Sequence, residues 1–110
     1  CPSAKVAGKG CFGAAMMEDA ILVRDVTTAM SQAFHGKMPI SVKCRIGTDL
    51  KQTTSISSSM EHHDDDSEEE EYKDLCHFIE TVSSHNIVTH FDIHARKAIL
   101  TRNISPADNR

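Results

Sequence analysis

Stretches with the period of a helix alternate with stretches that have the period of a β-strand, and this order limits the fold more than any other feature of the sequence. The first helical stretch follows Glu18-Asp19, whose charges suit a helix start, and is expected to end at His35-Gly36. Its apolar residues recur at three- and four-residue steps, which predicts one buried stripe. The stripe consists of Leu22, Val23, Val26, Ala29, Met30, Ala33 and Phe34. The order helix, strand, helix, strand predicts an α/β fold of parallel units with right-handed crossovers.

The two predicted strands, residues 40–46 and 88–95, each have one polar and one apolar face. The polar positions are Ser41, Lys43 and Arg45 in the first strand and His90, Asp92 and His94 in the second. Two cations on an inner strand face need anionic or polar groups nearby, so Lys43 and Arg45 are candidates for a ligand site. The pattern alone also allows a solvated edge-strand face for these two, and a core histidine with satisfied hydrogen bonds for His94.

Residues 48–71 have a different composition, with a Ser/Thr-rich run, the pair His62-His63 and an acidic block at 64–71. The segment has too little apolar surface to fold alone and is predicted to be a disordered insertion. Its histidines are expected to be solvated rather than to form a metal site. A second helix is predicted from about Glu71 to Ser84, followed by a stop at His85-Asn86. Its apolar positions are Tyr72, Leu75, Cys76, Ile79 and Val82.

The 110 residues suffice for one small domain, and their formal net charge of -4 argues against general affinity for nucleic acid. Without the three Asp and four Glu of the acidic block, however, the charge is +3. A polyanionic partner is therefore allowed. Because the chain starts with Cys1 inside a loop and stops inside a predicted helix start, we expect it to be an internal piece of a longer chain.

The four cysteines form no Cys-x-x-Cys pair and are expected to be independent thiols in a reducing compartment. We expect Cys11, Cys44 and Cys76 to be structural. No apolar run approaches the roughly 20 residues that span a membrane, so no membrane association is expected.

The first fourteen residues combine a thiol, Cys1, with a proline, two lysines and three glycines. Pro2 restricts Cys1 to extended backbone, and the glycines permit turns that a Cβ forbids. This composition predicts a shaped loop suited to a ligand site, although pattern alone leaves Cys1 an ordinary thiol.

Four motifs in this chain occur in an order and spacing that resemble one enzyme family. They are Cys1-Pro2-Ser3 with Lys5-Val6 and Phe12-Gly13-Ala14, then Ile40 to Gly47, then His94 to Ala98, and finally Ser105 to Arg110. Together they resemble the tRNA-dihydrouridine synthases of the type that acts on D-loop uridines (20/20a). The sequence from Val6 to Gly13 is most similar to plant and cyanobacterial members.

The resemblance implies a partial TIM (β/α)8 barrel that binds FMN, of which this chain supplies central βα units only. Residues 1–47 would form one partial unit with the catalytic loop, and 48–71 the insertion. Residues 72–110 would form the next partial unit and its following loop. Such a piece is expected to be inactive alone.

The family reduces a D-loop uridine of tRNA to 5,6-dihydrouridine, with hydride from FMN that NADPH has reduced. By resemblance, Cys1 is the proton donor, a role that suits a thiol because it is still protonated at neutral pH. The flavin contacts would be Lys43, Arg45 and His94. The tRNA contacts would be Lys5, Lys9, Arg96 and Lys97. The resemblance implies a tRNA partner, no metal, a monomer, and a cytoplasmic or organellar location.

Three departures from the family pattern bear on this interpretation, and an alternative stays open. The acidic insertion enlarges a loop on the expected active-site face, and Asp92 occupies a strand position that is usually apolar. The link 101–103 is one residue longer than the family pattern and lacks its usual glycine, which affects the placement of Arg96 and Lys97. The alternative is a non-catalytic degenerate copy, or a module that binds RNA or another partner.

Overall fold

The computed structural model describes residues 12–50, 64–101, 104–105 and 107–108. A short 3-10 helix, Gly13–Glu18, is followed by helix α1 (Ala20–Ala33), strand β1 (Ile40–Arg45), helix α2 (Asp64–Ser83) and strand β2 (Val88–His94). The strands pair in parallel, which confirms the predicted α/β class and strand direction. Closure into a barrel stays a prediction.

Helix α1 begins and ends where the sequence predicts. The Asp19 carboxylate accepts a hydrogen bond from the Leu22 N–H at 2.9 Å, so it caps the helix start. At the other end, His35 and Gly36 have positive φ angles of 53° and 67°. The Gly36 N–H donates to the Ser31 carbonyl at 2.9 Å, which uses one of the last helical acceptors.

The apolar stripe of α1 is less buried than predicted. Val23 is the one buried residue of the stripe. Thr27, which is also buried on α1, donates its hydroxyl to the Val23 carbonyl at 3.0 Å. Four stripe residues are roughly two-fifths exposed: Leu22 (40%), Val26 (39%), Met30 (44%) and Phe34 (45%). Ala29 and Ala33 are exposed as well, so the prediction of one buried stripe is wrong for six of its seven residues. In the described part of the chain, α1 packs mainly on α2 and the 3-10 helix, and these cover only part of its surface.

Helix α2 begins at Asp64, seven residues earlier than the predicted start at Glu71. The acidic block therefore lies in its first turns rather than in a disordered segment. Glu has high helix propensity, and negative charge near a helix N-terminus is favourable. The pair Lys73 and Glu69, with Nζ and Oε1 2.9 Å apart, adds an i, i+4 interaction. The helix is followed by Asn86, whose φ is 56°, close to the predicted stop.

The parallel register confirms the predicted faces of both strands. Ser41 lies opposite His90, Lys43 opposite Asp92, and Arg45 opposite His94. These six residues share the polar face of the sheet, which in the described part of the chain is largely exposed. An irregularity between Ile40 and Ser41 sets this register, because two residues of β2 there span one step of β1.

The apolar face of the sheet packs on the helices. Val82 of α2 and Val88 of β2 are fully buried at the centre of the main cluster. Its other buried members are Val23, Ile40, Cys44 and Phe78. A second cluster, formed by Ala98 and Leu100 with Ala14, Ala15 and Leu50, lies beyond the strand ends. The core thus holds β1 and β2 together and leaves their polar face open.

Candidate functional site

A cavity of about 480 Å³ adjoins the carboxyl ends of the two strands. Lys43 and Arg45 of β1 and His94 of β2 all line it. Lys43 and Arg45 share one face of β1, and the parallel register places His94 opposite Arg45. Val42 and Cys44 of the apolar face also line the cavity, so it is bordered from both faces of the sheet. All three predicted flavin contacts are therefore brought to one cavity.

The rest of the cavity wall is mainly apolar. It is lined by Gly13, Ala14, Met16, Met17, Val23, Val42, Cys44 and Phe78. None of the described lining residues is acidic. An apolar wall with a few convergent polar groups is the usual composition of a small-molecule site, and here the polar groups are basic. The cavity therefore suits a ligand with an apolar part and a negative charge.

One carboxylate lies on the same sheet face as the cavity cations. Asp92 is opposite Lys43 in the register, and its Oδ1 lies 3.7 Å from the His90 Nε2. The side chains of His90 and Asp92 are 71% and 60% exposed, so solvent screens their interaction. Asp92 is thus a carboxylate on the same sheet face as Lys43 and Arg45, and its ion-pair partner is His90.

Arg96 and Lys97 follow β2 and do not line the cavity. The Arg96 N–H donates to the His94 carbonyl at 2.7 Å, which turns the chain sharply after the strand. The Lys97 ammonium forms a salt bridge with the Glu71 carboxylate of α2, and both side chains are about two-thirds buried (30% and 36% exposed). The acidic start of α2 is thus joined to a predicted tRNA contact.

Three predicted site residues, Cys1, Lys5 and Lys9, lie outside the described residues, so their roles stay predictions. The same holds for His62-His63. Among the residues that the structure describes, no group of three or more His, Cys, Asp or Glu side chains is arranged to hold a metal ion. Nor is any described helix both long and apolar enough to cross a membrane.

The described cysteines are not in disulfides, and Cys44 is buried in the main cluster. Burial raises the pKa of the Cys44 thiol, which favours its protonated form. The Tyr72 hydroxyl is hydrogen-bonded to Cys76, and this contact raises the pKa of Tyr72. Neither feature adds a reactive thiolate to the cavity.

Asp49, which no sequence motif singled out, joins the loops after the two strands. Asp49 Oδ1 accepts hydrogen bonds from the Leu100 N–H at 2.6 Å and the Thr101 N–H at 3.3 Å. Its Oδ2 accepts from the Thr101 hydroxyl at 2.5 Å. Partial burial disfavours the ionised carboxylate of Asp49 and would raise its pKa. The hydrogen bonds favour the ionised form more strongly, so the pKa of Asp49 is lowered. The one indication in the sequence was that Asp49 directly follows Gly47-Thr48, at the end of a predicted strand, where α/β folds often place functional residues.

Thr48 links the same region to the 3-10 helix. It is buried, pairs with Ala98 in an isolated parallel bridge, and donates its hydroxyl to the Glu18 carboxylate. The 3-10 helix carries part of the cavity wall, including Met16 and Met17. The cavity wall and the two post-strand loops are therefore connected by side-chain hydrogen bonds.

These features define an α/β protein with a candidate ligand site at the carboxyl ends of parallel strands, where such folds place their ligands. The family model described as Dihydrouridine synthase (Dus) matches residues 1–110. The chain belongs to the dihydrouridine synthase family. This confirms the resemblance drawn from the four motifs.

Curated relatives match over all 110 residues of this chain. It is 38% identical to the tRNA-dihydrouridine(20/20a) synthase of Salmonella typhimurium, covering 26% of that protein. It is 37% identical to that of Yersinia pestis and 38% identical to that of Escherichia coli K12, covering 26% of each. The chain thus spans about a quarter of the length of these relatives. No solved structure matches it significantly.

Proposed function

We propose that this chain acts, within a protein as long as its relatives, in the reduction of a D-loop uridine of tRNA to 5,6-dihydrouridine. FMN is the proposed hydride donor, and NADPH reduces the flavin. The observation that carries the proposal is the convergence of Lys43, Arg45 and His94 on one largely apolar cavity. Family membership supports the reaction class, because the relatives are named tRNA-dihydrouridine(20/20a) synthases.

The lining of the cavity fits a flavin. Met16, Met17 and Phe78 offer apolar surface for an aromatic ring system, and Lys43 offers a cation for the negative charge of a reduced flavin. Lys43, Arg45 and His94 would hold the cofactor. Bound FMN would supply the hydride, while the residues of this chain orient it and supply positive charge.

The proton in this proposal comes from Cys1. A general acid must carry its proton at the working pH, and an ordinary thiol does so at neutral pH. The phosphates of tRNA would be bound by Lys5, Lys9, Arg96 and Lys97. For Lys97 this requires an exchange of partner, because its ammonium is paired with Glu71 in the present structure.

The proposed fold of the longer protein is a TIM barrel. The polar faces of β1 and β2 carry five exposed side chains and the half-buried Arg45. In a closed barrel this face would look inward, and the apolar faces would pack on the surrounding helices, as they already do here. The open polar face and the exposed flank of α1 are both surfaces that neighbouring βα units would cover.

The test uses a chimera in which these 110 residues replace the matched segment of the Escherichia coli K12 synthase. We expect the purified chimera to contain FMN and to form dihydrouridine in tRNA. The Lys43→Ala chimera should lose FMN. The matched control is Lys37→Ala, because Lys37 is exposed and precedes β1 at its opposite end. A chimera that folds but neither binds FMN nor forms dihydrouridine contradicts the proposal.

A second candidate, favoured by the positions of two carboxylates, is a non-catalytic degenerate copy or an RNA-binding or partner-binding module. Asp92 lies opposite Lys43, and Glu71 pairs with Lys97, so carboxylates accompany two of the predicted functional cations. This candidate predicts that the chimera binds tRNA yet forms no dihydrouridine when FMN and NADPH are in excess.

A further inference from the structure

Asp49 joins two loops that are far apart in sequence. Beyond the strands, the Ala98 N–H donates to the Gly47 carbonyl at 2.9 Å, and the Asp49 N–H donates to the Ala98 carbonyl at 3.1 Å. These bonds extend the parallel pairing of β1 and β2 past the strand ends. The backbone of Asp49 is therefore held directly beside the loop that follows β2.

The Asp49 carboxylate then binds the next part of that loop. It accepts from the N–H groups of Leu100 and Thr101 and from the Thr101 hydroxyl, at distances from 2.5 to 3.3 Å. Hydrogen bonds to a carboxylate are shorter and stronger than those between neutral groups. One side chain thus fixes both backbone and hydroxyl donors of residues 100–101.

The segment between His94 and Leu100 is consequently held at both ends. At its start, the Arg96 N–H donates to the His94 carbonyl at 2.7 Å. At its end, Ala98 and Leu100 are buried in the second apolar cluster, directly beside the bonds of Asp49. Arg96 and Lys97 lie between these two anchors.

We propose that Asp49 is a positioning residue that sets the place of Arg96 and Lys97 relative to the cavity through its hydrogen bonds to Leu100 and Thr101. The inference rests on the proposed function, since it assigns these two cations to tRNA. Asp49 touches neither flavin nor uridine in this account. It acts through the loop after β2.

The ionised carboxylate is needed because all the side-chain partners are donors. An asparagine side chain has one acceptor oxygen, and its NH₂ group would face the donors of Thr101. Asp49→Asn therefore keeps the size of the side chain but leaves one side of the contact unsatisfied. This makes it a sharper test than Asp49→Ala, which also removes volume.

The test is made in the chimera, with KM for tRNA and kcat for dihydrouridine formation measured separately from NADPH-dependent flavin reduction without tRNA. We expect Asp49→Asn to raise KM for tRNA about tenfold, as the loss of a charge-assisted hydrogen bond does. Flavin reduction should stay within about twofold of the unsubstituted chimera. Thr101→Val, which removes one donor, should raise KM less than Asp49→Asn, and Asp49→Glu should restore part of the affinity.

The matched control is Asp25→Asn. Asp25 pairs with its neighbour Arg24 on the surface of α1, and its side chain is 57% exposed. Asp25→Asn removes the same charge as Asp49→Asn, but from a site remote from the loop after β2. It should therefore leave KM for tRNA, flavin reduction and amide exchange unchanged.

Amide hydrogen exchange on the chimera provides a readout that does not depend on activity. Asp49→Asn should speed exchange selectively at Leu100 and Thr101, with the strands unchanged. If the unsubstituted chimera forms no dihydrouridine, the proposed function fails, while amide exchange still decides whether Asp49 holds the loop. Unchanged KM and exchange in Asp49→Asn overturn the inference. A rise in KM accompanied by losses of flavin reduction and thermal stability also overturns it, because that pattern indicates a general structural role.

Discussion

Lys43 of β1 lies directly opposite Asp92 of β2 on the polar face of the parallel sheet. The lysine lines the cavity and the aspartate does not. A carboxylate at this position offsets part of the positive charge available to an anionic ligand. The pair therefore relates one departure from the family pattern to the proposed flavin site.

Replacing this carboxylate should strengthen flavin binding. In the chimera, Asp92→Asn is expected to lower the Kd for FMN about two- to fivefold, the range of an exposed charge pair. Fluorescence titration of the flavin measures this, with Asp25→Asn as the control for net charge. Unchanged or weaker binding in Asp92→Asn would show that Asp92 does not compete with the ligand for Lys43.

Releasing Lys97 from Glu71 should strengthen tRNA binding. Glu71→Gln removes the carboxylate that holds the ammonium, so the Kd for tRNA in the chimera should fall about two- to fivefold. Glu69→Gln is the matched control, because Glu69 pairs with the exposed Lys73 on the same helix. Lys97→Ala should make the fall of log affinity for tRNA with log salt concentration less steep. The decrease in slope should be about what one phosphate contact contributes. An unaltered salt slope would remove Lys97 from the tRNA contacts.

The two described cysteines should differ in their rates of alkylation. Cys44 is 7% exposed, and burial raises the pKa of its thiol, so it presents little reactive thiolate. Cys76 is half-buried and should be modified first by iodoacetamide at neutral pH. Peptide mass spectrometry resolves the sites, and alkylation in denaturant provides the control in which both react. Faster labelling of Cys44 in the native chain would contradict its place in the core.

The contacts of Asp49 should persist into mildly acidic solution. Hydrogen bonds lower the pKa of Asp49 when the chain is folded, so their contribution is present above the ordinary aspartate pKa of about 4. It is lost as the pH falls through the lower folded value. NMR titration should show the Leu100 and Thr101 amides shifting below about pH 4 in the wild-type chain but not in Asp49→Asn. A transition above that range would contradict the lowered pKa.

Two valines test the core against the open flank of α1. Val82 is fully buried, and Val82→Ala should lower the free energy of unfolding of this chain by about 2 kcal/mol, because a cavity replaces packed methyl groups. Val26 is 39% exposed, and Val26→Ala should change it by less than about 0.5 kcal/mol. Urea unfolding measures both. Equal effects would place Val26 in a packed interface.

The pattern of the sequence was sufficient to predict that Lys43, Arg45 and His94 lie together. Strand period places Lys43 and Arg45 on one face, and parallel pairing places His94 at the same sheet edge, so only local periodicity and chain direction were needed. The helix start at Asp19 and the turn at His35-Gly36 were predictable for the same reason, because caps depend on residues within one helical turn.

Contacts between distant residues depended on the tertiary structure. Asp49 and Thr101 are 52 residues apart, and Glu71 and Lys97 are 26 apart, and no periodic pattern relates the members of either pair. The sequence also did not predict the exposed flank of α1, because periodicity shows that a helix face is apolar but not which neighbour covers it. The sequence by itself determined the elements, their direction and the polar face of the sheet. The tertiary structure decided which loop carboxylate holds which donor, because that depends on how the two post-strand loops lie side by side.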